Sequence, residues 1–231
     1  MTKRRQTFCA VLAAALFVCA AVPRAAGDSE EAARVREAST VFNEIMAAPD
    51  HAVPDAVLHK AAAIAVFPSV LKAGFIVGVK RGRGIISVRD AKGNGWSAPA
   101  FLTVTGGSFG AQIGGASTDL VLIIMNRRGV EHLLSNQFKI GGEATAAAGP
   151  VGRDAQASTD IQLRAEILSY SRSRGLFAGI TVNGASIRQD RDANEAFYGK
   201  PYTSRQIAIQ HLGGAPEPTA EWRATLAKYV K

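Results

Sequence analysis

The chain has 231 residues, 47% of them hydrophobic, which is enough to bury the core of one domain. The formal net charge is +8, but no block of five like charges occurs, so a nucleic-acid-binding arm is not expected. Both cysteines, Cys9 and Cys19, lie near the N-terminus. A domain formed by the rest of the chain therefore has no disulfide and depends on its hydrophobic core.

The first 26 residues have the layout of a secretory signal peptide. A basic start is followed by an uncharged apolar run over 8–22 and then by small residues in AAVPRAAG. The run of about 15 residues is shorter than the roughly 20 that a membrane-spanning helix needs. We expect cleavage between Ala20 and Ala26, which leaves a single exported domain, 27–231, that is periplasmic or secreted.

Two features qualify this prediction. Lipidation of Cys19 is an alternative, although Val18 stands where a small residue is expected. Processing also lowers the net charge from +8 to +4, because the segment 1–26 holds four basic residues and no acidic one: Lys3, Arg4, Arg5 and Arg24. A mildly basic domain can contact an anionic surface as a peripheral membrane protein, but its charge does not require this.

The first predicted element of the domain is a helix from Asp28 to Ala48. Apolar residues recur at near-helical spacing, Asp28 or Ser29 can cap the start, and Pro49 ends it. A second short helix is predicted from Pro54 to Ala62. The first helix has two interpretations: it packs on its own sheet, which its mixed charge favours, or it lies on a membrane.

From Ile64 the pattern changes to short β-rich runs separated by glycine. The apolar run 120–126 is typical of a strand buried on both faces, and 127–135 favours a short helix. Residues 161–167 alternate with period two, which predicts a strand with one wet face. Asn183-Gly184 between apolar runs predicts a β-hairpin.

Short helices are predicted again near the C-terminus, at about 204–211 and 219–229. Helices thus enclose a central block of strands, and strands and helices do not alternate. This order predicts an α+β domain with an antiparallel, strongly curled or barrel-like sheet, on which the N-terminal and C-terminal helices pack.

The stretch GGSFG, residues 106–110, matches the G-x-S-x-G pattern of a hydrolase nucleophile elbow around Ser108. An elbow requires a helix directly afterwards, yet Gly114 and Gly115 follow, and two adjacent glycines oppose a helix. Asp119 with His132 or His211 would have the order of a triad, but most chains of this length contain such a pair. We interpret the stretch as a bent strand, whose small-residue face could line an internal acyl pocket.

Cofactor and metal motifs are not apparent. Glycine-rich segments occur, but no Walker A ending and no GxGxxG spacing is found. The four histidines are scattered without the spacing of ligands: His51, His59, His132 and His211. We therefore expect a protein without catalytic residues, metal or cofactor.

A set of basic residues in glycine-rich turns forms the candidate lipid-binding site. Cations in such turns can meet phosphates or anionic lipid head groups, or they can simply be solvated. The set consists of Lys80, Arg81, Arg83, Arg89, Arg172 and Arg174.

Six segments together resemble the SYLF domain family, which includes exported bacterial proteins and eukaryotic proteins associated with lipid and actin. They follow the family's order over roughly residues 30 to 212: IAVFPSVLKAGFIVGVKRGRG (64–84), GWSAPAFLTVTGGSFGAQIGG (95–115), TDLVLIIMN (118–126), GGEATAAAGPVGR (141–153), SYSRSRGLFAGITVNGASI (169–187) and NEAFYG (194–199).

The resemblance implies a non-enzymatic domain that binds phospholipid. Phosphoinositide binding in eukaryotic members is attributed to a basic amphipathic N-terminal helix, and the helix here is mixed in charge. Some yeast members bind actin, which an exported protein would not meet, so an anionic phospholipid such as phosphatidylglycerol or cardiolipin is the expected ligand. An envelope adaptor that binds another protein through a sheet edge is the alternative, and a serine hydrolase using Ser108 is a further one.

Overall fold

The computed structural model describes residues 29–48, 53–74, 77–90, 95–109, 116–142, 144–151, 164–173, 176–212, 214 and 216–230. The predicted signal peptide, the candidate contact Arg174 and residues 161–163 lie outside these ranges. Within the described ranges the fold is α+β, with a strongly curled sheet and helices at both ends of the chain, as predicted.

Six helices occur in the described residues, and their starts are set by local caps. They are α1 (Glu30–Met46), α2 (Asp55–Lys60), α3 (Arg127–Leu133), α4 (Arg191–Tyr198), α5 (Ser204–Ala208) and α6 (Thr219–Tyr229). Ser29 caps α1 by accepting a hydrogen bond from the Ala32 N–H, and Asn126 caps α3 in the same way. Thr203 and Gln206 form a reciprocal capping box at α5.

The described strands form one sheet. They are β1 (Ala63–Gly74), β2 (Val77–Val88), β3 (Ala100–Phe109), β4 (Ala116–Ile124), β5 (Gln137–Lys139), β6 (Ala146–Ala148), β7 (Ile167–Ser173), β8 (Leu176–Gly179) and β9 (Ser186–Gln189). Their order is β5-β9-β3-β2-β1-β4-β7-β6, and β8 also pairs with β7. All pairs are antiparallel except β6 with β7.

Side chains alternate between the two faces along each strand, and each face carries a buried hydrophobic cluster. On the α1 face, residues such as Ile64, Val121 and Leu168 pack with α1, α2, α4 and α6. On the opposite face, residues such as Phe67 and Leu122 pack with α3, α5 and the connection from β8 to β9. We call the connection 180–185 the strap and this side of the sheet the strap face.

Helix α1 packs on the sheet, as the mixed charge of its polar face favoured. Phe42 and Ile45 are fully buried, and Phe42 makes edge-to-face ring contacts with Trp222 and Tyr229 of α6. Trp222 donates a hydrogen bond from Nε1 to Ser87 Oγ of β2 at 2.8 Å. The first and last helices are therefore joined to each other and to the sheet.

Two sequence-based predictions are wrong. The predicted strand over 161–167 fails for 164–166, since β7 begins only at Ile167 and Arg164 has helical geometry. Asn183-Gly184 does form a turn, but its flanking strands do not pair with each other. Instead β8 pairs with β7, and β9 pairs with β3 and β5, because the strap carries the chain across the sheet.

Helix α4 was not predicted, although part of it lies in the quoted NEAFYG segment. Its Asn194 is fully buried and accepts a hydrogen bond from the backbone N–H of Phe101 at 2.9 Å, and its amide donates to Ser204 Oγ at 3.3 Å. Gly199 ends the helix with a φ of 68°, which favours glycine. This asparagine therefore fastens α4 and α5 to β3.

Candidate functional site

The candidate cations of β2 lie on two different faces of the sheet. Arg83 contacts Glu30 of α1, so Arg83 and Arg81, two residues earlier, lie on the α1 face. Lys80 lies on the strap face, where it lines a cavity with Val70 and Val104. The predicted set therefore does not form one continuous patch.

Arg83 and Arg172 are held by carboxylates of α1. Arg83 pairs with Glu30, which also accepts a hydrogen bond from Arg34 at 3.1 Å. Arg172 of β7 pairs with Glu44 and with Asp119 of β4, where its Nη2 lies 2.7 Å from Oδ2. These two arginines thus fasten α1 to the sheet and are less available to an external anion.

The electrostatics at Arg172 follow from this environment. Burial is the largest single effect and lowers the pKa of Arg172, but the hydrogen bonds and charges of Asp119 and Glu44 together raise it above its ordinary value. Asp119 also accepts a hydrogen bond from the Ser69 N–H at 2.9 Å, where Ser69 has a left-handed φ of 51°. Asp119 therefore stabilises both a bulge in β1 and the ion pair across β4 and β7.

Three glutamates of α1, spaced seven residues apart, follow one side of the helix: Glu30, Glu37 and Glu44. Their partners are Arg83 on β2, Ser69 on β1 and Arg172 on β7. Seven residues are close to two helical turns, so this spacing aligns the carboxylates. These partners were not predicted from the sequence, although the i, i+7 spacing of the glutamates was a detectable signal.

Arg89 lies away from the other candidates, at the opposite end of β2 from Arg81. It donates hydrogen bonds to the carbonyls of His59 at 2.9 Å and Leu58 at 3.3 Å, and its guanidinium lies 5.3 Å from the ring centroid of Trp96. Burial lowers its pKa. These contacts give Arg89 a structural role at the C-terminus of α2.

The exposed part of the β1–β2 hairpin combines an apolar and a cationic side chain. Leu71 of β1 lies directly opposite Arg81 of β2, on the face away from Val70. The side chain of Leu71 is 62% exposed, the highest value among large hydrophobic residues in the described part of the chain, and Arg81 is also exposed. We call this pair the hairpin end.

A cavity of about 180 Å³ lies between the sheet and the strap. Its apolar wall includes Val70, Val104 and Leu120 from the sheet and Val182 from the strap. Its polar wall comprises Lys80, Thr118, Ser171, Thr181 and Asn183. The cavity therefore combines an apolar lining with several hydrogen-bonding groups, as ligand sites do.

Glycines set how closely the walls approach. A Cβ on Gly82 would lie 2.7 Å from Val70 Cγ2, and a Cβ on Gly106 would lie 3.3 Å from the Cα of Ala185 in the strap. Gly106 and Gly107 line the cavity. Gly106 and Gly107 of the GGSFG stretch thus line a cavity, whereas whether it holds an acyl chain stays a prediction.

Residues 105–229, more than half of the chain, match the family model of Ysc84, described as "Las17-binding protein actin regulator". The chain belongs to the Ysc84 (SYLF) family. The resemblance expected from the sequence is therefore confirmed, and the cavity and the hairpin end are features of a Ysc84-family fold.

Curated members of the family extend well beyond this chain. Protein YSC84 of Saccharomyces cerevisiae is 34% identical over 190 residues, which is 80% of this chain and 40% of the yeast protein. SH3 domain-containing YSC84-like protein 1 is 36% identical over 174 residues in Xenopus laevis and 34% over 191 residues in Homo sapiens. The matches cover 75% and 81% of this chain and 51% and 54% of those proteins, so the chain spans about half the length of these relatives.

The backbone of this Ysc84-family chain does not form a nucleophile elbow at Ser108. The residue lies inside β3, where it pairs with Gly78 and is followed by the paired residue Phe109, so it is not at a strand-to-helix turn. Asp119 shares the α1 face with Val121, whereas His132 lies on α3, which packs on the strap face. These two residues cannot act together in a triad.

Within the described ranges, no group of three or more metal-ligating side chains comes together. None of the helices described is both long and apolar enough to cross a membrane.

Most residues that line the cavity were not predicted from the sequence. Thr118, Ser171 and Lys80 all line it, yet they lie on β4, β7 and β2, which are far apart in sequence. Gly106 gave a signal through the small-residue face of its strand, and Lys80 was predicted as a basic contact.

Proposed function

We propose that this protein binds the surface of anionic phospholipid membranes without catalysing a reaction, and that the hairpin end is its contact. The observation that carries the proposal is the pairing of Leu71, 62% exposed, with the exposed Arg81. Membership of the Ysc84 family supports a non-enzymatic binding role.

An exposed leucine beside a guanidinium suits the boundary between head groups and acyl chains. The apolar side chain gains free energy on entering the acyl region, and the guanidinium forms charge-assisted hydrogen bonds with phosphate. Each basic residue near an anionic surface contributes about 1 kcal/mol. Among the predicted cations, Arg81 is the main contact, because Arg83 and Arg172 are paired with Glu30 and Glu44.

The proposal places the protein in the cell envelope, exported by the signal peptide predicted in residues 1–26. The expected lipids are then phosphatidylglycerol and cardiolipin. Intact-mass measurement of the protein recovered from an envelope fraction tests the location. A mature start between residues 21 and 27 supports export, whereas an unprocessed chain in the soluble fraction refutes it.

Vesicle sedimentation tests the binding itself. Purified 27–231 is mixed with phosphatidylglycerol vesicles or with phosphatidylcholine vesicles, each at low and high salt. We expect sedimentation with the anionic vesicles and weaker sedimentation at high salt. Replacing Arg81 with Ser should weaken binding roughly fivefold, and replacing Lys80 and Arg83 as well should add little, because Lys80 lines the cavity on the other face and Arg83 is paired with Glu30. Absence of binding to anionic vesicles at either salt concentration refutes the function.

A second candidate is an adaptor that binds another protein. It is favoured by the family description, which names Las17 binding and actin regulation, and by relatives such as LAS seventeen-binding protein 3 of yeast. We propose no actin partner, because an exported protein would not meet actin. Pull-downs are made from an envelope extract with and without removal of lipid. A protein partner recovered from both supports the adaptor, whereas a partner lost when lipid is removed supports the lipid function instead.

A further inference from the structure

We propose that the cavity beneath the strap is a binding site for a single medium-length acyl chain that carries a carboxylate, with Lys80 as the residue that recognises the charge. This site is separate from the hairpin end and goes beyond the surface binding proposed above, since its ligand lies inside the domain.

The position of the cavity along the strands gives it two chemically different ends. Val70 pairs with Thr118 across β1 and β4, and Lys80 pairs with Gly106 across β2 and β3. Leu120 and Val104 lie two residues further along β4 and β3, toward the core of the strap face. Lys80 and Gly106 therefore lie at the outer end of the cavity, and Leu120 lies at the inner end, where its partner across β4 and β7 is Ser171.

The size of the cavity limits the ligand. An engineered cavity of about 150 Å³ holds benzene, so the 180 Å³ here admits an apolar group of roughly six to eight carbons. The two acyl chains of an intact phospholipid are too large to enter together. Val70, Val104, Leu120 and Val182 supply apolar contacts around one chain.

The polar end selects the head group. Among the described residues that line the cavity, Lys80 is the one charged side chain, and it lies at the outer end on β2. The ammonium of Lys80 can donate charge-assisted hydrogen bonds to a carboxylate at this end. A neutral alcohol of the same length would keep the apolar contacts and lose the ionic one, so it should bind more weakly.

Isothermal titration calorimetry of the mature domain with octanoate and with octanol tests this site. Lys80→Met removes the charge and keeps the aliphatic stem, while Arg81→Met does the same to the neighbouring residue on the opposite face. We expect Lys80→Met to weaken octanoate binding at least tenfold and to leave octanol binding unchanged. Arg81→Met should leave both unchanged.

A cavity-filling variant, Ser171→Phe, gives an independent test. Thermal unfolding first verifies that this variant is folded, and it should then lose binding of both ligands while still sedimenting with phosphatidylglycerol vesicles. Variants of the hairpin end should still bind octanoate and octanol but sediment less with phosphatidylglycerol vesicles. Failure of the cavity proposal is therefore distinguishable from failure of the membrane-surface proposal. The proposal is overturned if wild-type protein does not bind octanoate, or if Lys80→Met and Arg81→Met affect its binding equally.

Discussion

Leu71→Ser should weaken binding to phosphatidylglycerol vesicles by about five- to thirtyfold. Complete burial of a leucine side chain is worth about 1.5–3 kcal/mol. Since 62% of Leu71 is exposed, membrane entry buries only that share of the side chain. The transfer free energy gained is therefore roughly 1–2 kcal/mol. At about 1.4 kcal/mol per tenfold change in affinity, this gives the stated range.

The salt dependence separates the apolar from the ionic contribution. Arg81→Ser should cost about 1 kcal/mol, or roughly fivefold, at low ionic strength. At high salt its effect should shrink toward zero, because screening shortens the range of the charge interaction. The effect of Leu71→Ser should persist at both salt concentrations, because hydrophobic transfer does not depend on this screening.

Matched controls use residues of the same type outside the hairpin end. Leu212 is 40% exposed beyond α5, and Arg205 on α5 is exposed, so Leu212→Ser and Arg205→Ser should leave vesicle binding unchanged. The reasoning is refuted if Leu71→Ser binds as wild type does, or if the control variants lose as much affinity as the hairpin variants.

Three further predictions concern stability and are measured by urea unfolding. Tyr170→Phe should raise the free energy of unfolding by about 1 kcal/mol at neutral pH, because the buried Tyr170 hydroxyl has no hydrogen-bond partner among the described residues. Burial also raises the pKa of Tyr170 in the folded state. Above about pH 10 the unfolded chain therefore loses this proton first, stability falls as pH rises, and the fall should be smaller in the variant. Asp119→Ala should cost about 2 kcal/mol, since it removes the acceptor of both Arg172 and the Ser69 N–H. Trp222→Phe should cost about 1–2 kcal/mol, since Ser87 Oγ loses its indole donor and the core loses volume.

Each of these predictions has a contrary outcome. Destabilisation by Tyr170→Phe would indicate that the hydroxyl is hydrogen-bonded, and an unchanged slope above pH 10 would contradict the raised pKa. Asp119→Ala and Trp222→Phe are compared with Arg128→Ala, a change at a side chain that is 77% exposed and should cost below about 0.5 kcal/mol. Losses equal to that control would contradict the structural roles assigned to Asp119 and Trp222.

The local elements could be predicted from the sequence because their signals are local. Helix α1 follows from its apolar spacing and from Ser29, and the buried strand β4 follows from its continuous apolar run. The last helix was predicted at its observed bounds. In each of these segments the period or the cap is contained within the element itself.

Predictions failed where a distant partner decides the structure. Asn183-Gly184 forms a turn, but the strands on either side of it pair elsewhere: β8 pairs with β7, and β9 pairs with β3. No local sequence pattern reveals this pairing. The candidate cations could be identified from the sequence, but those that are ion-paired could not be told from the others. Only the fold shows that Glu30 pairs with Arg83 and Glu44 with Arg172. The cavity likewise depends on strand register, which assembles its wall from five strands and the strap.

The strands that end the sheet path, β5 and β6, have only three residues each, whereas the central β1 and β2 have twelve. A three-residue edge offers few free backbone groups to an added strand. Edge-to-edge aggregation through these two strands is therefore disfavoured in the folded protein. For the same reason, a protein partner that extends the sheet at β5 or β6 would gain few hydrogen bonds.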